Sequence, residues 1–252
     1  MQALILAAGM GTRLKELTRN KPKCMVEVDG EAMIDRLLGI LETMSLNKII
    51  IVDGYKGDLL EEHIRSLNIK TPLKYVRNHV FDKTNNIYSL SLAGVELVED
   101  DTLLIESDLV FTPKLLRELA EIEKPTVAVV DKYEEWMDGT VVTLGKDDII
   151  RHFIPKKDIS EHKNEVLYKT VNIYKLSKEY SEQLLVPLTD VYIKLFGAND
   201  YYEQVFRLIS EVKNDTMFAY VCQKGSWYEA DTQEDLREIE RRIASRELNI
   251  QE

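Results

Sequence analysis

The sequence predicts an α/β protein with a Rossmann-like, doubly wound, mostly parallel sheet and a small β-rich lobe. Three observations support this fold class. Apolar, β-branched runs alternate with stretches of helical spacing. A glycine-rich loop follows the first apolar run, and a β-rich pattern replaces the alternation between about residues 131 and 175. With 252 residues, 44% of them apolar, the chain is expected to form one domain over 1–252, with 131–175 as a substrate-binding lobe.

The first half of the chain contains the alternating elements. Apolar runs predict strands at 3–6, 48–52, 73–76 and 102–105, with a short strand and turn at 26–30. Apolar residues at helical spacing predict helices between them, at 34–44 and 59–67. Cap residues at 84–86 predict a further helix reaching about Leu97.

The second half begins with a helix at 113–121 and a strand at 126–130. A hairpin at 140–154 and a strand at 168–176 then form the β-rich part. An apolar stretch at 184–196 and a helix opening near Asp200 come next, followed by a strand at 217–221. The last predicted element is an amphipathic helix that starts at Thr232.

Composition excludes several classes of partner. The formal net charge of −11 argues against a nucleic-acid backbone as a ligand. No apolar run is long enough to span a membrane, and no signal peptide precedes the first strand. We therefore expect a cytoplasmic protein without membrane insertion, with Cys24 and Cys222 as free thiols.

The loop after the first strand is the strongest functional signal in the chain. Glycines allow a tight turn whose N–H groups can face phosphate oxygens, and Arg13 and Lys23 add positive charge. The alternative is a tight turn with two solvated cations. We assign the following residues to nucleotide binding: Leu6, Ala7, Ala8, Gly9, Met10, Gly11, Thr12, Arg13 and Lys23.

Two further segments complete the motif set. Glu106-Ser107-Asp108 closes an apolar strand, so Asp108 is expected at the ligand edge of the sheet as a metal-binding carboxylate or as a helix cap. Two amides at a helix N-terminus, Asn85 and Asn86, can read a base edge, bind an anion or simply cap the helix. Asp231 precedes the last helix, where capping is the simplest role.

The loop followed by Lys21-Pro22-Lys23 resembles the nucleotidyltransferases that make nucleoside-diphosphate sugars, CDP-choline and related compounds. This resemblance implies that Asp108 and Asp231 hold Mg²⁺, that Lys23 stabilises the α-phosphate and that Arg13 holds the departing pyrophosphate. It also implies that the region after Thr84 lies against a cytosine nucleotide. The residues assigned to this nucleotide region are Asp53, Thr84, Asn85, Asn86, Ser89 and Ser107.

Aromatic and acidic residues suggest where an acceptor substrate binds. Trp136 with nearby acids can hold a small cation, and Tyr201 and Tyr202 precede Glu203 at a helix start. The alternatives are packing for Trp136 and surface positions for the tyrosines. The residues assigned to the acceptor are Trp136, Asp138, Asn172, Tyr201, Tyr202, Glu203 and Glu229.

Within the resembled family, the segments 83–90, 106–111, 136–144 and 171–175 are most similar to phosphonate-specific cytidylyltransferases. The resemblance implies transfer of a cytidylyl group from CTP to 2-aminoethylphosphonate. Phosphocholine or a sugar 1-phosphate as acceptor stays open, as does a non-catalytic nucleotide-binding regulator. Some relatives continue into a second enzyme domain, and a homo-oligomer is a further open expectation.

Overall fold

The structure, a computed structural model, describes residues 1–213 and 215–250. Residues 214, 251 and 252 of the predicted domain lie outside the described part. The strands are β1 (Gln2–Ala7), β2 (Glu27–Val28), β3 (Glu31–Ala32), β4 (Ile49–Asp53), β5 (Leu73–Arg77), β6 (Thr102–Glu106), β7 (Leu109–Phe111), β8 (Val127–Lys132), β9 (Val141–Leu144), β10 (Ile150–Ile154), β11 (Tyr168–Leu176), β12 (Phe218–Val221) and β13 (Trp227–Glu229).

The helices lie mostly between the strands, as the alternating pattern predicts. They are α1 (Met33–Glu42), α2 (Gly57–Ser66), α3 (Asn86–Leu92), α4 (Gly94–Leu97), α5 (Pro113–Glu121), α6 (Lys178–Tyr180), α7 (Val186–Phe196), α8 (Glu203–Val212) and α9 (Gln233–Ala244). The helix expected from the caps at 84–86 is interrupted at Ala93, so that α3 and α4 are separate. None of the helices in the described residues is long and apolar enough to cross a membrane.

The central sheet has nine strands. Four neighbours, in the order β5-β4-β1-β6, run parallel, and β11 joins β6 in the antiparallel direction. Beyond β11 the sheet continues through the hairpin β9–β10 and, separately, through β8 and β12. The predicted α/β class with a doubly wound sheet is confirmed.

Alternation along the strands buries both faces of the sheet. In β1, Ala3 and Ile5 pack with α1, α2 and α5, whereas Leu4 and Leu6 face the side covered by α3, α7 and α8. A smaller cluster joins the hairpin β2–β3 to α9. The sheet is thus fixed from both sides, and its strand ends are held in place for the site.

Strand β11 changes its neighbour along its length. Its first residues, Tyr168 and Lys169, pair with β9, and its last four, Ile173–Leu176, pair with β6. The register shifts between Thr170 and Tyr174, where Asn172 adopts a left-handed conformation with φ of 62°. The hairpin predicted for the small lobe therefore extends the main sheet, and the boundary at 131–175 stays a prediction.

Local capping follows the sequence closely. The side chains of Asn85, Ser177 and Thr232 accept hydrogen bonds from helix N–H groups, and Asp235 completes a capping box with Thr232. Both cysteines are free and buried.

Candidate active site

A cavity of about 770 Å³ opens at the carboxyl ends of β1 and β6. This is the edge at which open α/β sheets bind ligands. The residues assigned from the sequence that line it are Leu6, Ala8, Gly9, Gly11, Thr12, Arg13, Lys23, Thr84, Asn85, Asn86, Ser89, Asp108, Asp138, Asn172, Tyr201, Glu203, Glu229 and Asp231. The nucleotide and acceptor assignments thus meet in one cavity, while their binding roles remain predictions.

The glycine-rich loop positions Lys23. Gly11 has φ of +61°, and a Cβ there would lie 2.9 Å from the Lys23 Cβ. The Thr18 hydroxyl donates to the Gly11 carbonyl at 2.8 Å and holds the turn closed. Gly9 has open space where its side chain would stand. One glycine therefore lets Lys23 approach, and the other leaves room for a ligand against the backbone.

Lys23 lies between two carboxylates that are far apart in the sequence. Its Nζ donates to Asp108 Oδ2 and to Asp231 Oδ1, each at 2.6 Å. Burial lowers the pKa of Lys23, but the charges of Asp108 and Asp231 outweigh this effect and hold the pKa above its ordinary value. The ammonium is therefore charged at neutral pH.

Asp231 is not the cap of the last helix. The Thr232 hydroxyl accepts from the Asp235 N–H and the Asp235 carboxylate accepts from the Thr232 N–H, so the capping box of α9 forms without the Asp231 carboxylate, which contacts cations instead. Arg13 Nη2 lies 2.8 Å from Asp231 Oδ1, and Arg13 Nη1 lies 3.8 Å from Asp138 Oδ2. Arg13 of the glycine-rich loop is thus ion-paired with Asp231, one of the two carboxylates that Lys23 also contacts.

Asp108, Glu229 and Asp231 can bring one carboxylate oxygen each to within 4.8 Å of one another. Asp108 Oδ1 is buried and has no hydrogen-bond partner among the described residues. Carboxylate oxygens of this kind are the ligands that hard divalent cations prefer. The residues therefore fit a divalent metal, and Glu229, assigned to the acceptor from the sequence, stands within reach of it.

The helix start at α3 is tied to the neighbouring wall. Asn86 Nδ2 donates to Glu106 Oε1 at 3.1 Å, and Asn86 Oδ1 accepts from the Tyr202 N–H at 3.0 Å. Asn78, which the sequence did not single out, donates from Nδ2 to Thr84 and Ser89 at 3.2 Å each. These bonds fix the amide positions at the cavity edge.

The carboxyl groups of Glu106, Glu203 and Glu229 line the cavity, where Glu203 is buried and Glu106 and Glu229 are partly buried. Burial raises the pKa of all three, and the charge of Asp108 adds to the shift of Glu106 and Glu229. Lys169, only 1% exposed, opposes the shifts of Glu203 and Glu229. Glu203 Oε2 has no partner among the described residues. This region has spare acceptors for a positively charged ligand.

Six assigned residues lie outside the lining of the cavity: Ala7, Met10, Asp53, Ser107, Trp136 and Tyr202. Asp53 is fully buried, and its carboxylate accepts from Arg77 Nε on the neighbouring strand. Tyr202 is also fully buried, and its ring packs edge-on against Tyr174 and Phe206. Both side chains are used inside the fold and do not line the cavity, and their assigned nucleotide and acceptor roles stay predictions.

Trp136 also lies outside the cavity lining, and its acceptor role stays a prediction. Its ring stacks on Tyr228 with centroids 5.0 Å apart, and its Nε1 donates to Glu134 Oε2 at 2.9 Å. The Arg242 guanidinium lies over both rings. Trp136 is therefore part of an aromatic stack outside the cavity lining.

Sequence reasoning missed several lining residues: Asn78, Phe81, Glu106, Gly139, Thr140, Pro155, Lys156, Lys157, Lys169, Asp200 and Gln204. Two of them had a usable signal. Lys169 is one of two lysines, with Lys175, in the predicted strand 168–176, and lysine within a core strand is rarely buried without a partner or a role. Lys156 follows β10 and pairs with Asp138 at 2.6 Å.

Comparison with known proteins agrees with this geometry. Residues 3–185 match the family model described as the MobA-like NTP transferase domain. CMP-5'-(3-aminopropyl)phosphonate synthase from Streptomyces rubellomurinus is 24% identical over 245 residues, which are 97% of this chain and 39% of that protein. 2-Aminoethylphosphonate cytidylyltransferase from Lancefieldella rimae is 35% identical over 111 residues, 44% of each chain. The alignments therefore cover less than half the length of these curated relatives.

Among solved structures, CTP:phosphocholine cytidylyltransferase from Streptococcus pneumoniae shares the fold. Its TM-score is 0.80 at 24% identity, with 96% of this chain and 98% of that chain covered. The resemblance expected from the loop and the Lys21-Pro22-Lys23 motif is confirmed at the level of family and fold. The chain belongs to the MobA-like NTP transferase domain family.

Proposed function

We propose that the protein is a Mg²⁺-dependent cytidylyltransferase that converts CTP and 2-aminoethylphosphonate into CMP-2-aminoethylphosphonate and pyrophosphate. The observation that carries this proposal is the pairing of Lys23 with Asp108 and Asp231 beneath the glycine-rich loop. A buried cation beside two carboxylates suits transfer at a phosphate, where the protein contributes positioning and charge neutralisation. The two relatives that act on aminoalkylphosphonates or their CMP derivatives support this choice of acceptor.

In the proposed transfer, each residue at the site has a separate role. An ionised phosphonate oxygen forms the new P–O bond at the α-phosphorus of CTP, and the bond to the pyrophosphate oxygen breaks. No side chain needs to remove a proton, because the attacking oxygen is already charged. Lys23 faces the developing charge at the α-phosphate, and Arg13 holds the departing pyrophosphate. The open space at Gly9 lets the triphosphate approach the backbone.

Asp108 and Asp231 would hold the Mg²⁺, with Glu229 in reach. When bound, the ion neutralises charge on the phosphate oxygens. The close approach that Gly11 permits brings Lys23 up to these two carboxylates.

The acceptor's amino group is assigned to the carboxyl region at Glu203 and Glu229. A primary ammonium has N–H groups that need acceptors, and Glu203 Oε2 offers one without a partner among the described residues. A quaternary ammonium needs an aromatic cage instead. The aromatic residues that line the cavity are Phe81 and Tyr201, while Trp136 is engaged with Tyr228. The arrangement therefore favours aminoethylphosphonate over phosphocholine.

Pyrophosphate release with CTP and Mg²⁺ tests the proposal, with 2-aminoethylphosphonate, phosphocholine and a sugar 1-phosphate offered in parallel. We expect the largest kcat/KM for the phosphonate. Faster turnover of phosphocholine would retain the mechanism and replace the acceptor. CTP binding without pyrophosphate release for any acceptor would support a non-catalytic regulator.

A further inference from the structure

Helix α7 exposes apolar side chains to solvent. Its single buried residue is Thr189, whereas Leu195 and Phe196 are 70% and 71% exposed and Val191 is 45% exposed. The next helix, α8, shows the usual arrangement, because its apolar residues Val205, Phe206 and Ile209 are buried. A surface helix in a monomer normally presents polar residues outward. The outward face of α7 is thus suited to covering by another surface.

The exposed residues form a stripe. Val191 and Leu195 are four residues apart, which places them along one side of the helix next to Phe196. Leu188, one turn earlier, is only partly exposed and packs against the core. The exposed apolar stripe therefore covers the C-terminal half of α7.

Two charges flank the stripe. Asp190 and Lys194 are exposed and stand one turn apart on the same edge. Neither forms an ion pair with another of the described residues. Both charges are therefore available to a partner.

We propose that α7 is a homodimer interface, in which the α7 helices of two copies of this chain pack antiparallel about a two-fold axis. Such an axis brings the same edge of each helix together with its direction reversed. Asp190 then faces Lys194 of the second copy, and Lys194 faces the copy's Asp190. A parallel arrangement, with the axis along the helices, would place the two charged edges on opposite sides of the seam, so that Asp190 and Lys194 of the two copies could not pair. The proposal is independent of the proposed reaction.

Analytical ultracentrifugation of the full chain over a wide concentration range tests this interface. We expect a reversible dimer, and we expect Leu195→Glu to raise its dissociation constant by about 100-fold, since the change occurs on both sides of the axis. Because Leu195 is exposed, the variant should keep the circular dichroism spectrum of the parent. A monomer at all concentrations, or a dimer that Leu195→Glu leaves intact, would overturn the proposal.

A charge exchange tests the antiparallel geometry itself. Asp190→Lys and Lys194→Asp should each weaken self-association by about 10-fold, because each places like charges face to face. An equimolar mixture of the two variants should form a heterodimer, in which every pair is again opposite in sign. Failure of the mixture to associate more strongly than either variant alone would exclude this arrangement, even if a dimer forms elsewhere.

Discussion

The two walls of the cavity are built in different ways. The loop wall comes from one short stretch of chain and relies on the backbone; its lining residues are Ala8, Gly9, Gly11, Thr12, Arg13 and Lys23. The acid wall consists of side chains from four separate segments: the three acidic residues Asp138, Glu203 and Glu229, together with Lys169. Backbone geometry suits a ligand part that every substrate shares, and separate side chains suit a part that varies. Changes in the loop wall should therefore affect turnover with any acceptor, and changes in the acid wall should affect one acceptor selectively.

The largest effect is expected for Lys23→Met, which removes the cation beside Asp108 and Asp231. We expect kcat to fall by about 1000-fold with every acceptor, as for loss of one charge-stabilising group. Steady-state kinetics of pyrophosphate release measures this. Lys21→Met is the matched control, because Lys21 does not line the cavity. If Lys23→Met retained its turnover, the loop wall would have no part in the chemical step.

Gly11→Ala should lower kcat by about 10- to 100-fold, because its Cβ displaces Lys23 from a position that must be accurate. Gly30→Ala in the turn between β2 and β3 is the control. It carries a similar left-handed penalty of about 1 kcal/mol, with open space around it. Thermal unfolding should show comparable losses for both variants. Equal losses of activity would mean that strain alone, and not the approach to Lys23, explains the effect.

Glu203→Gln should raise the KM for an aminoalkylphosphonate by about 10-fold, since a buried charge-assisted hydrogen bond is lost. The KM for CTP should stay unchanged. Glu211→Gln, on the same helix but ion-paired with Arg207 at the surface, serves as the control. A matching rise in the KM for CTP would contradict the separation of the two walls.

Trp136→Ala should change the KM of the acceptor by no more than about 3-fold, because the ring stacks on Tyr228 outside the cavity. Loss of the aromatic pair should instead cost about 1 kcal/mol or more of unfolding free energy. Chemical denaturation and kinetics on the same preparation separate the two effects. A large, selective rise in the KM for phosphocholine would instead indicate that Trp136 contacts the acceptor.

The smallest effect concerns Glu238, which holds Arg242 over the Trp136–Tyr228 stack. Hydrogen bonds from Arg241 and Arg242 lower the pKa of Glu238 to about 2. A lowered carboxyl pKa stabilises the fold above the ordinary value near 4.5 and ceases to do so as the pH falls towards 2. Glu238→Gln should therefore cost about 0.5 kcal/mol at pH 7 in low salt and progressively less at acid pH. If the loss of unfolding free energy in Glu238→Gln did not depend on pH, packing and not charge would explain it.

The loop wall could be predicted from the sequence, and the acid wall only in part. The loop residues are adjacent in the sequence and directly follow a predicted strand, so their positions relative to one another could be predicted from the motif. Asp108 and Asp231 could be paired only through the family resemblance, because the fold joins segments that are far apart. The stacking of Trp136 and the burial of Tyr202 depend on tertiary packing that composition does not reveal. Lys169 was overlooked because a lysine in a strand is ordinarily solvated.

The change of neighbour along β11 has a consequence for divergence. The residues that pair with β9 are distinct from those that pair with β6, and Asn172 separates the two sets. The hairpin can therefore be lengthened, shortened or exchanged without breaking a hydrogen bond between β11 and β6. An insertion at Gly145 would leave the cavity at the carboxyl ends of β1 and β6 untouched. The fold thus combines a hairpin that can be exchanged with a parallel sheet that stays constant. This is a practical starting point for redirecting such a protein to new acceptors.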